Sequence, residues 1–440
     1  MIYSNYCVNK IIKMKKVLLL AFLVLLMGCK KQGCTDPTAL NYNSHATQDD
    51  NSCDYNAIEN EITGNITEDT TLTNDRIWVL NGRVSVVNGV TLTIEAGTII
   101  KGNAGTGANS SCLVIAMGGK INAVGTPEQP IIFTSITDDI QYGQNHGTIL
   151  DPTIRGLWGG VLICGKAPIS APGNVHSFQI EGIPASDQNG LYGGTNENDN
   201  SGIIEYVSIR HGGANIGAGN EINGLTLGGV GSSTVLNNIE IVANQDDGIE
   251  FFGGTVNISN LLVWNAGDDA IDIDQGFGGS ITNSVVVMGE STDHGLEVDG
   301  PEGGINLNSF LLDSITLIGS SEDCFPTGID GEIADYRAGA IGTSSNILCK
   351  DFGIGTDVSL TQDSEQTYVD GTLVFHNWQI QNPVDSEGNI CFGSPLSMIF
   401  SNSTSTSFFS QDADTFATII NTPTVGADLN DFSWTYYMNH

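Results

Sequence analysis

The chain has 440 residues and a formal net charge of −35, with 50 acidic and 15 basic side chains. A surface this acidic repels nucleic acids and other polyanions, so the composition argues against a nucleic-acid partner. The chain also contains 55 Gly, 12 Pro and 40% hydrophobic residues, which is typical of an all-β protein with many turns and not of a disordered chain.

The first 28 residues form a predicted signal peptide whose true start is Met14. Two lysines after Met14 precede an apolar run that is too short for an ordinary membrane-spanning helix. The end of this run, Leu26-Met27-Gly28-Cys29, resembles a bacterial lipobox, which implies lipidation of Cys29. We therefore expect a lipid to hold the chain at the outer membrane. The alternative is a plain secretory signal in which Cys29 has no role.

Residues 33–55 form a predicted small module that is bracketed by Cys34 and Cys53. The pattern resembles a short Cys-flanked module of secreted Bacteroidota proteins, related to thrombospondin type 3 repeats. A disulfide between Cys34 and Cys53, which export permits, would stabilise the loop by about 3 kcal/mol. Carboxylates suited to Ca²⁺ are offered by Asp36, Asp49 and Asp50. The alternative is a polar spacer held together by one disulfide.

Five further cysteines lie beyond the module: Cys112, Cys164, Cys324, Cys349 and Cys391. Because their number is odd, at least one of them has no partner within the chain. Spacing alone favours a pair between Cys324 and Cys349, and the sequence leaves the other pairings open.

Residues 56–76 are polar and rich in Thr and Asn, and we interpret them as a linker. Short β-prone runs follow over residues 77–440. Between residues 224 and 300 four such runs begin 24, 22 and 25 residues apart: GLTL (224–227), GIEF (248–251), AIDI (270–273) and GLEV (295–298). A fixed period without intervening helical patterns predicts a parallel β-helix, closed by a C-terminal cap.

The alternation within these runs predicts which side chains point outward. Leu225, Ile249, Ile271 and Leu296 form one inward column. Outward acids follow at Glu250, Asp272, Asp274, Glu297 and Asp299. Adjacent coils lie about 4.8 Å apart, and carboxylates this close raise each other's pKa unless a cation lies between them. The outward acids therefore predict a Ca²⁺ site.

Several longer motifs carry a resemblance to a known family: RGLWGG (155–160), GKAPI (165–169), GGTNENDNSG (193–202), NEINGLTLGGVG (220–231) and DDGIEFFGGTV (246–256). They look like a widespread family of β-helix proteins of the Bacteroidota cell envelope, and the match covers most of residues 77–440. The resemblance implies a right-handed, pectin-lyase-like parallel β-helix, and it implies no particular activity.

A second resemblance concerns the corners before the outward acids. The order of these corner residues along the chain is similar to the order of the catalytic motifs in the polygalacturonases: Asp247, then the pair Asp268 and Asp269, then His294. Carried over, Asp268 or Asp269 is the general acid, Asp247 and the other aspartate activate water, and His294 orients the group. The sequence departs from that pattern, since no Arg-Ile-Lys motif follows to bind a substrate carboxylate. A polysaccharide-lyase mechanism needs a basic side chain, for which Arg210 is a candidate. Arg210 belongs to a different strand series, however, and we expect it to be a surface residue.

Stacked Asp-Asp pairs also occur simply because Asp favours turns. We therefore expect a non-catalytic, lipid-anchored protein of the outer membrane that binds Ca²⁺ and whose flank binds a glycan or another surface protein. The alternative is a polysaccharide-active enzyme, either a glycoside hydrolase or a polysaccharide lyase, that uses the corner aspartates and His294.

Overall fold

The structure is a computed structural model that describes residues 30–35, 43, 45–52, 60–105, 110–214, 222–319, 332–353, 355–384, 387, 393–402 and 407–440. The chain divides into two compact units, Met1–Glu59 and Asn60–His440. No helix in these described ranges is long and apolar enough to cross a membrane.

In the first unit, Cys34 is disulfide-bonded and almost completely buried. Its predicted partner Cys53 lies outside the described residues, as do the predicted lipidation site Cys29 and the predicted ligand Asp36. In the second unit, Cys349 is a free, buried thiol, so the pair that spacing favoured for it is wrong.

The second unit consists mainly of strands. The described residues form β1 (Glu61–Ile66), β2 (Thr70–Leu72), β3 (Ile77–Val86), β4 (Thr91–Ile94), β5 (Ile99–Gly102), β6 (Cys112–Ile115), β7 (Lys120–Val124), β8 (Ile131–Ser135), β9 (Val161–Cys164), β10 (Phe178–Gln179), β11 (Leu191–Tyr192), β12 (Gly202–Arg210), β13 (Leu225–Gly228), β14 (Val235–Val242), β15 (Ile249–Phe252), β16 (Asn257–Trp264), β17 (Ile271–Asp274), β18 (Ser280–Val287), β19 (His294–Asp299), β20 (Phe310–Ile318), β21 (Glu332–Arg337), β22 (Gly342–Ser345), β23 (Leu348–Lys350), β24 (Val358–Leu360), β25 (Leu373–His376), β26 (Trp378–Gln381), β27 (Phe400–Asn402) and β28 (Ala417–Ile420). Short helices are α1 (Gln362–Val369), α2 (Leu396–Ile399), α3 (Phe408–Phe416) and α4 (Tyr436–Asn439), with 3₁₀ turns at Pro172–Asn174, Gln188–Gly190 and Leu429–Phe432.

These strands stack in three parallel ladders, so the fold is the parallel β-helix that the repeat predicted. Ladder 1 contains β2, β4, β7, the first halves of β12, β14, β16, β18 and β20, then β22 and β25. Ladder 2 contains the first halves of β1 and β3, then β5 and β8, the second halves of β12, β14, β16, β18 and β20, and finally β23, β26 and β28. Ladder 3 contains the second halves of β1 and β3, then β6, β9, β13, β15, β17, β19, β21, β24 and β27.

The start of the β-helix lies earlier than the sequence predicted. Strands β1 and β2 fall within residues 56–76, which we interpreted as a linker, so that boundary is wrong from Glu61 onward. These strands alternate Thr, Asn and Glu with only two buried apolar residues, Ile66 and Leu72. The first coil is polar because it is the exposed end of the stack. Its amino-acid composition therefore resembles that of a linker.

Inward-facing residues of all three ladders form one continuous core. On ladder 3, Leu225, Ile249, Ile271 and Leu296 pair in register and are fully buried, which confirms the predicted column. The C-terminal end of the stack is covered by α3, whose Phe409 and Phe416 pack against Phe375 and Phe400.

Two segments cover outer faces of the ladders. Residues 165–201 lie over ladder 3 between β6 and β15, where Ile180, Ile183 and Tyr192 pack against Leu162 and Phe252. The end of the chain runs across ladder 2. There, buried Phe432 contacts Leu262 and Val285.

Candidate functional site

The acids of interest lie on the outer face of ladder 3, where Glu250 and Asp274 line a cleft with residues of the covering segment 165–201. Backbone pairing brings Glu250 beside Asp272 and Asp272 beside Glu297. The row continues from Thr226 before Glu250 to Asp335 after Glu297. The predicted outward row is therefore present, with its members on successive coils.

The corner that precedes these strands carries the second set of predicted residues. Asp247 Oδ1 accepts a hydrogen bond from the backbone N–H of Asp269 at 3.0 Å, and Asp269 Oδ1 accepts one from the N–H of His294 at 2.8 Å. Each buried aspartate thus holds the turn of the next coil in place. This turn chemistry accounts for part of the recurrence of aspartate at the corner of successive coils without any catalytic role.

The row and the corner meet at Asp247, Glu250 and Asp272. One carboxylate oxygen from each of the three lies within 4.8 Å of the others. All three residues are buried, with exposed fractions of 8% for Asp247, 5% for Glu250 and 9% for Asp272. Burial, together with neighbouring acids, raises the pKa of all three carboxyls well above the ordinary value. In the described residues, no basic group lies within ion-pair distance of any of them.

Buried oxygens without hydrogen-bond partners surround this three-carboxylate group. Asp272 Oδ1 accepts no hydrogen bond, and neither does Thr226 Oγ1, which precedes Glu250 in the same outward row. The side-chain oxygens of Asn223 and Asn244 are also buried and unpartnered, although the Asn223 amide donates to Glu250. Buried polar groups normally have partners, so a cluster of free oxygens fits an oxygen-ligated cation such as Ca²⁺.

The next coils contain a different arrangement, because a cationic side chain is present. Arg337 on β21 donates to Asp299 at 2.7 Å and is ion-paired with Glu297. Glu297 and Asp299 thus contact a guanidinium, but Glu297 also lies in a group of potential metal ligands with Asp269 and His294. Burial together with Asp335 and Glu302 raises the pKa of Asp299 to about 7. Their assignment as calcium ligands stays a prediction. Asp274 lies in a cleft of about 570 Å³ beneath residues 172–192, and burial together with Asp299 and Glu302 raises its pKa to about 7.

Arg337 is the functional residue that the sequence analysis missed. It follows Ala334, which pairs with Leu296 in ladder 3, so it belongs to the same series as the acids. The distance from Gly295 to Ile333 in sequence is longer than the repeat because residues 320–331 intervene. The alternating pattern Ile333-Ala334-Asp335-Tyr336-Arg337 could have indicated a further strand despite the broken period.

The four predicted catalytic residues lie at one corner. Asp268 shares one group of carboxylates with Asp246 and Asp247, and a second group with Asp269 and Asp293. His294 Nδ1 lies 2.7 Å from Asp269 Oδ1. Burial lowers the pKa of His294, but the hydrogen bond to Asp269 and the surrounding carboxylates outweigh it and raise that pKa to about 9. The imidazole is therefore a cation at neutral pH.

Two other predictions have simple outcomes. Asp49 and Asp50 of the first unit are exposed, and each accepts a hydrogen bond from a backbone N–H two residues later. They belong to no group of potential metal ligands in the described residues. Arg210 is on ladder 2, away from the acids, but it is buried and not a surface residue: its guanidinium lies 3.6 Å from Glu240 and 4.7 Å from the ring of Tyr436.

Comparison with known proteins gives one match. Residues 64–418 match the family model described as a pectate-lyase-like β-helix domain. No curated protein and no solved structure matches the chain significantly.

Proposed function

This chain belongs to the family of pectate-lyase-like β-helix domains, and we propose that it is a non-catalytic surface protein that binds a divalent cation, preferentially Ca²⁺. In this proposal Cys29 carries the lipid that attaches the protein to the outer membrane. The flank of the β-helix then binds a glycan or another surface protein.

A single observation carries the cation proposal: Asp247, Glu250 and Asp272 converge without a basic partner. Three ionised carboxylates in a buried position repel each other strongly, so the group must take up protons or a cation. Ligands of one Ca²⁺ lie about 2.3–2.6 Å from the ion, so their oxygens are at most about 5 Å apart. The separation within 4.8 Å meets that limit. The unpartnered oxygen of Asp272 supports the same conclusion.

The test is calcium-dependent thermal unfolding. We expect Ca²⁺ to raise the melting temperature of EDTA-treated protein, because an ion that binds only the folded state stabilises it. Asp272→Asn removes one ligand charge and is expected to lose most of that shift. Asp414→Asn changes an exposed aspartate on α3 and serves as the matched control, with the shift retained. A wild-type melting temperature that does not change with Ca²⁺ would contradict the proposal. A Ca²⁺-induced shift in Asp272→Asn as large as that of the wild type would also contradict it.

A polysaccharide-active enzyme is the second candidate. The observation that favours it is the contact of His294 with Asp269 at 2.7 Å, close to Asp268 and in the same stack as Asp247. In that case the purified protein should depolymerise some member of a broad glycan panel, and Asp268→Asn should abolish the activity with the fold intact. Failure to cleave any glycan, with or without Ca²⁺, would remove this candidate.

A further inference from the structure

Arg155 is an unusual charge in this molecule. The chain has five arginines, and four of them are ion-paired with a carboxylate: Arg76 with Asp75, Arg83 with Asp187, Arg210 with Glu240, and Arg337 with Glu297 and Asp299. Arg155 has no carboxylate within ion-pair distance in the described part of the chain, although acids outnumber bases by 50 to 15. The missing counter-ion therefore needs an explanation.

The guanidinium is also only partly satisfied by neutral groups. Its NH2 atom donates to Asn265 Oδ1 at 3.3 Å, and its Nε donates to the carbonyl of Thr153 at 3.4 Å. Its NH1 atom is buried and has no hydrogen-bond partner. Burial lowers the pKa of Arg155, and no acid opposes that effect. NH1 is enclosed by the protein, so a ligand can reach only the part of Arg155 that lines the groove, where an anion would supply the missing counter-charge.

The site around Arg155 has the shape of a binding groove. A groove of about 1380 Å³ runs along the corner between ladders 2 and 3, and Arg155 lies in its wall. Half-buried Trp264 and Tyr437 supply aromatic surface, and the exposed amide of Gln245 supplies hydrogen-bonding groups. The amide of Asn265 is already bonded to Arg155 and to the carbonyl of Pro152. Ligand sites in proteins combine apolar walls with a few polar groups in this way.

The backbone beside Arg155 makes room for the guanidinium. A Cβ atom on Gly267 would lie 2.9 Å from Arg155 NH1 and 2.1 Å from the carbonyl oxygen of Gln245. Only glycine fits at this corner position, and its absence of a side chain lets NH1 approach the backbone closely. The placement of Arg155 is therefore built into the corner and is not the chance position of a surface side chain.

We propose that Arg155 anchors a second binding site, for a small polar ligand that carries one carboxylate, sulfate or phosphate group. The guanidinium forms charge-assisted hydrogen bonds with all three of these anions. Trp264 and Tyr437 contact the apolar face of the ligand, and the amide of Gln245 binds its hydroxyl or other polar groups.

The charge of the molecule limits the ligand to one anionic group. The net charge of −35 repels polyanions, and Glu290 and Asp351 line the same groove without forming an ion pair with Arg155. A ligand with a single charge can place it on Arg155 and keep neutral atoms near those acids. An oligomeric uronate would bring several charges against them.

This site shares no residue with the three-carboxylate group, so it stands or falls independently of the cation proposal. It is nevertheless close to the candidate catalytic corner, because Gly267 immediately precedes Asp268. A ligand held at Arg155 would extend along the groove toward that corner.

The experiment is calorimetric titration in EDTA at constant ionic strength, with sulfate, phosphate and glucuronate as separate probes and glucose as the neutral match. We expect at least one anion to bind the wild-type protein while glucose binds more weakly, and the preferred anion then identifies the source of the charge. Arg155→Gln is expected to weaken that binding at least tenfold. Arg76→Gln removes the same charge from an exposed, ion-paired arginine and is expected to leave binding unchanged.

Arg155→Lys keeps the charge but loses the planar fork of donors, so an intermediate affinity is expected. If circular dichroism without ligand shows that Arg155→Gln does not fold, Arg155→Lys is used as the test variant instead. Absence of binding of every anion, equal binding by the Arg155 variants and the wild type, or tighter binding of an oligogalacturonate than of glucuronate would overturn the proposal. Because EDTA is present throughout, failure here leaves the cation proposal untouched.

Discussion

At the scale of single residues, the molecule separates two kinds of buried acid. Asp247, Glu250 and Asp272 have no cationic neighbour, and their carboxyls therefore hold protons or a cation. Glu297 and Asp299, only one or two coils away, share the single positive charge of Arg337. Arg337 on β21 thus distinguishes the two sets of acids, because only Glu297 and Asp299 have a guanidinium beside them.

His294 gives a prediction for pH dependence. Its folded-state pKa of about 9 lies above the ordinary 6.5, so the folded protein binds this proton more tightly than the unfolded chain does. The stabilisation is complete below pH 6.5 and is lost as the pH rises to about 9. We expect the melting temperature of the wild type to exceed that of His294→Gln at pH 6, and the difference to shrink over this window.

The control for this measurement is His376→Gln, which changes an exposed histidine on β25. Its difference from the wild type should stay constant across the same pH range. A difference for His294→Gln that is constant, or that grows with pH, would show that the imidazolium does not stabilise the corner.

At the scale of elements, the bend between ladders 1 and 2 depends on asparagine. Asn238, Asn260 and Asn283 sit in the middle of β14, β16 and β18 with positive φ angles of 52°, 57° and 47°. Their side chains form a ladder of their own: the Asn283 amide donates to Asn260 Oδ1 at 2.6 Å, and the Asn260 amide donates to Asn238 Oδ1 at 3.3 Å. Asparagine tolerates this left-handed backbone and also hydrogen-bonds to the next coil.

Substitution of Asn260 separates these two contributions. Asn260→Gly loses the side-chain hydrogen bonds but keeps the backbone unstrained, and each lost bond costs about 1 kcal/mol. Asn260→Ala loses the same bonds and must also place a Cβ in the left-handed region, which costs about 1–2 kcal/mol more. We expect denaturant unfolding to rank stability as wild type, then Gly, then Ala. A glycine variant less stable than the alanine variant would contradict this account of the bend.

At the scale of the whole molecule, the covering segments determine which surfaces remain available. Residues 165–201 cover ladder 3 between β6 and β15, and the last residues of the chain cover the apolar outer face of ladder 2 through Phe432. The acids of ladder 3 and the groove at Arg155 lie in the regions that these segments border. Binding chemistry is thus concentrated beside the covered faces, while the core of the solenoid serves as the rigid support.

The proposed lipid anchor is a property of the full chain and can be tested separately. We expect the protein expressed in a Gram-negative host to partition into the detergent phase, because an acylated Cys29 carries apolar chains. Cys29→Ser should move it to the aqueous phase. Cys7→Ser, upstream of the predicted start Met14, should have no effect. Detergent partitioning that survives Cys29→Ser would exclude this anchor.

The recurrence of short runs every 22 to 25 residues was sufficient to predict the coil, the inward column of Ile249 and Ile271, and the outward row of Glu250 and Asp272. These features follow from local alternation and a period, which a sequence displays directly. The predicted linker failed from Glu61 because an exposed terminal coil has little apolar surface to bury.

Contacts between coils of irregular length could be decided only by the tertiary structure. Arg337 reaches Asp299 across an insertion that breaks the period, and Arg155 enters its groove from a segment more than a hundred residues away from Asn265. A period predicts which residues stack on successive coils. It does not predict the positions of counter-charges and covering loops, because these belong to segments that do not follow the repeat. The sequence by itself therefore determined the solenoid and its acidic face, and the folded chain decided which of those acids contact a guanidinium and which have no cationic neighbour.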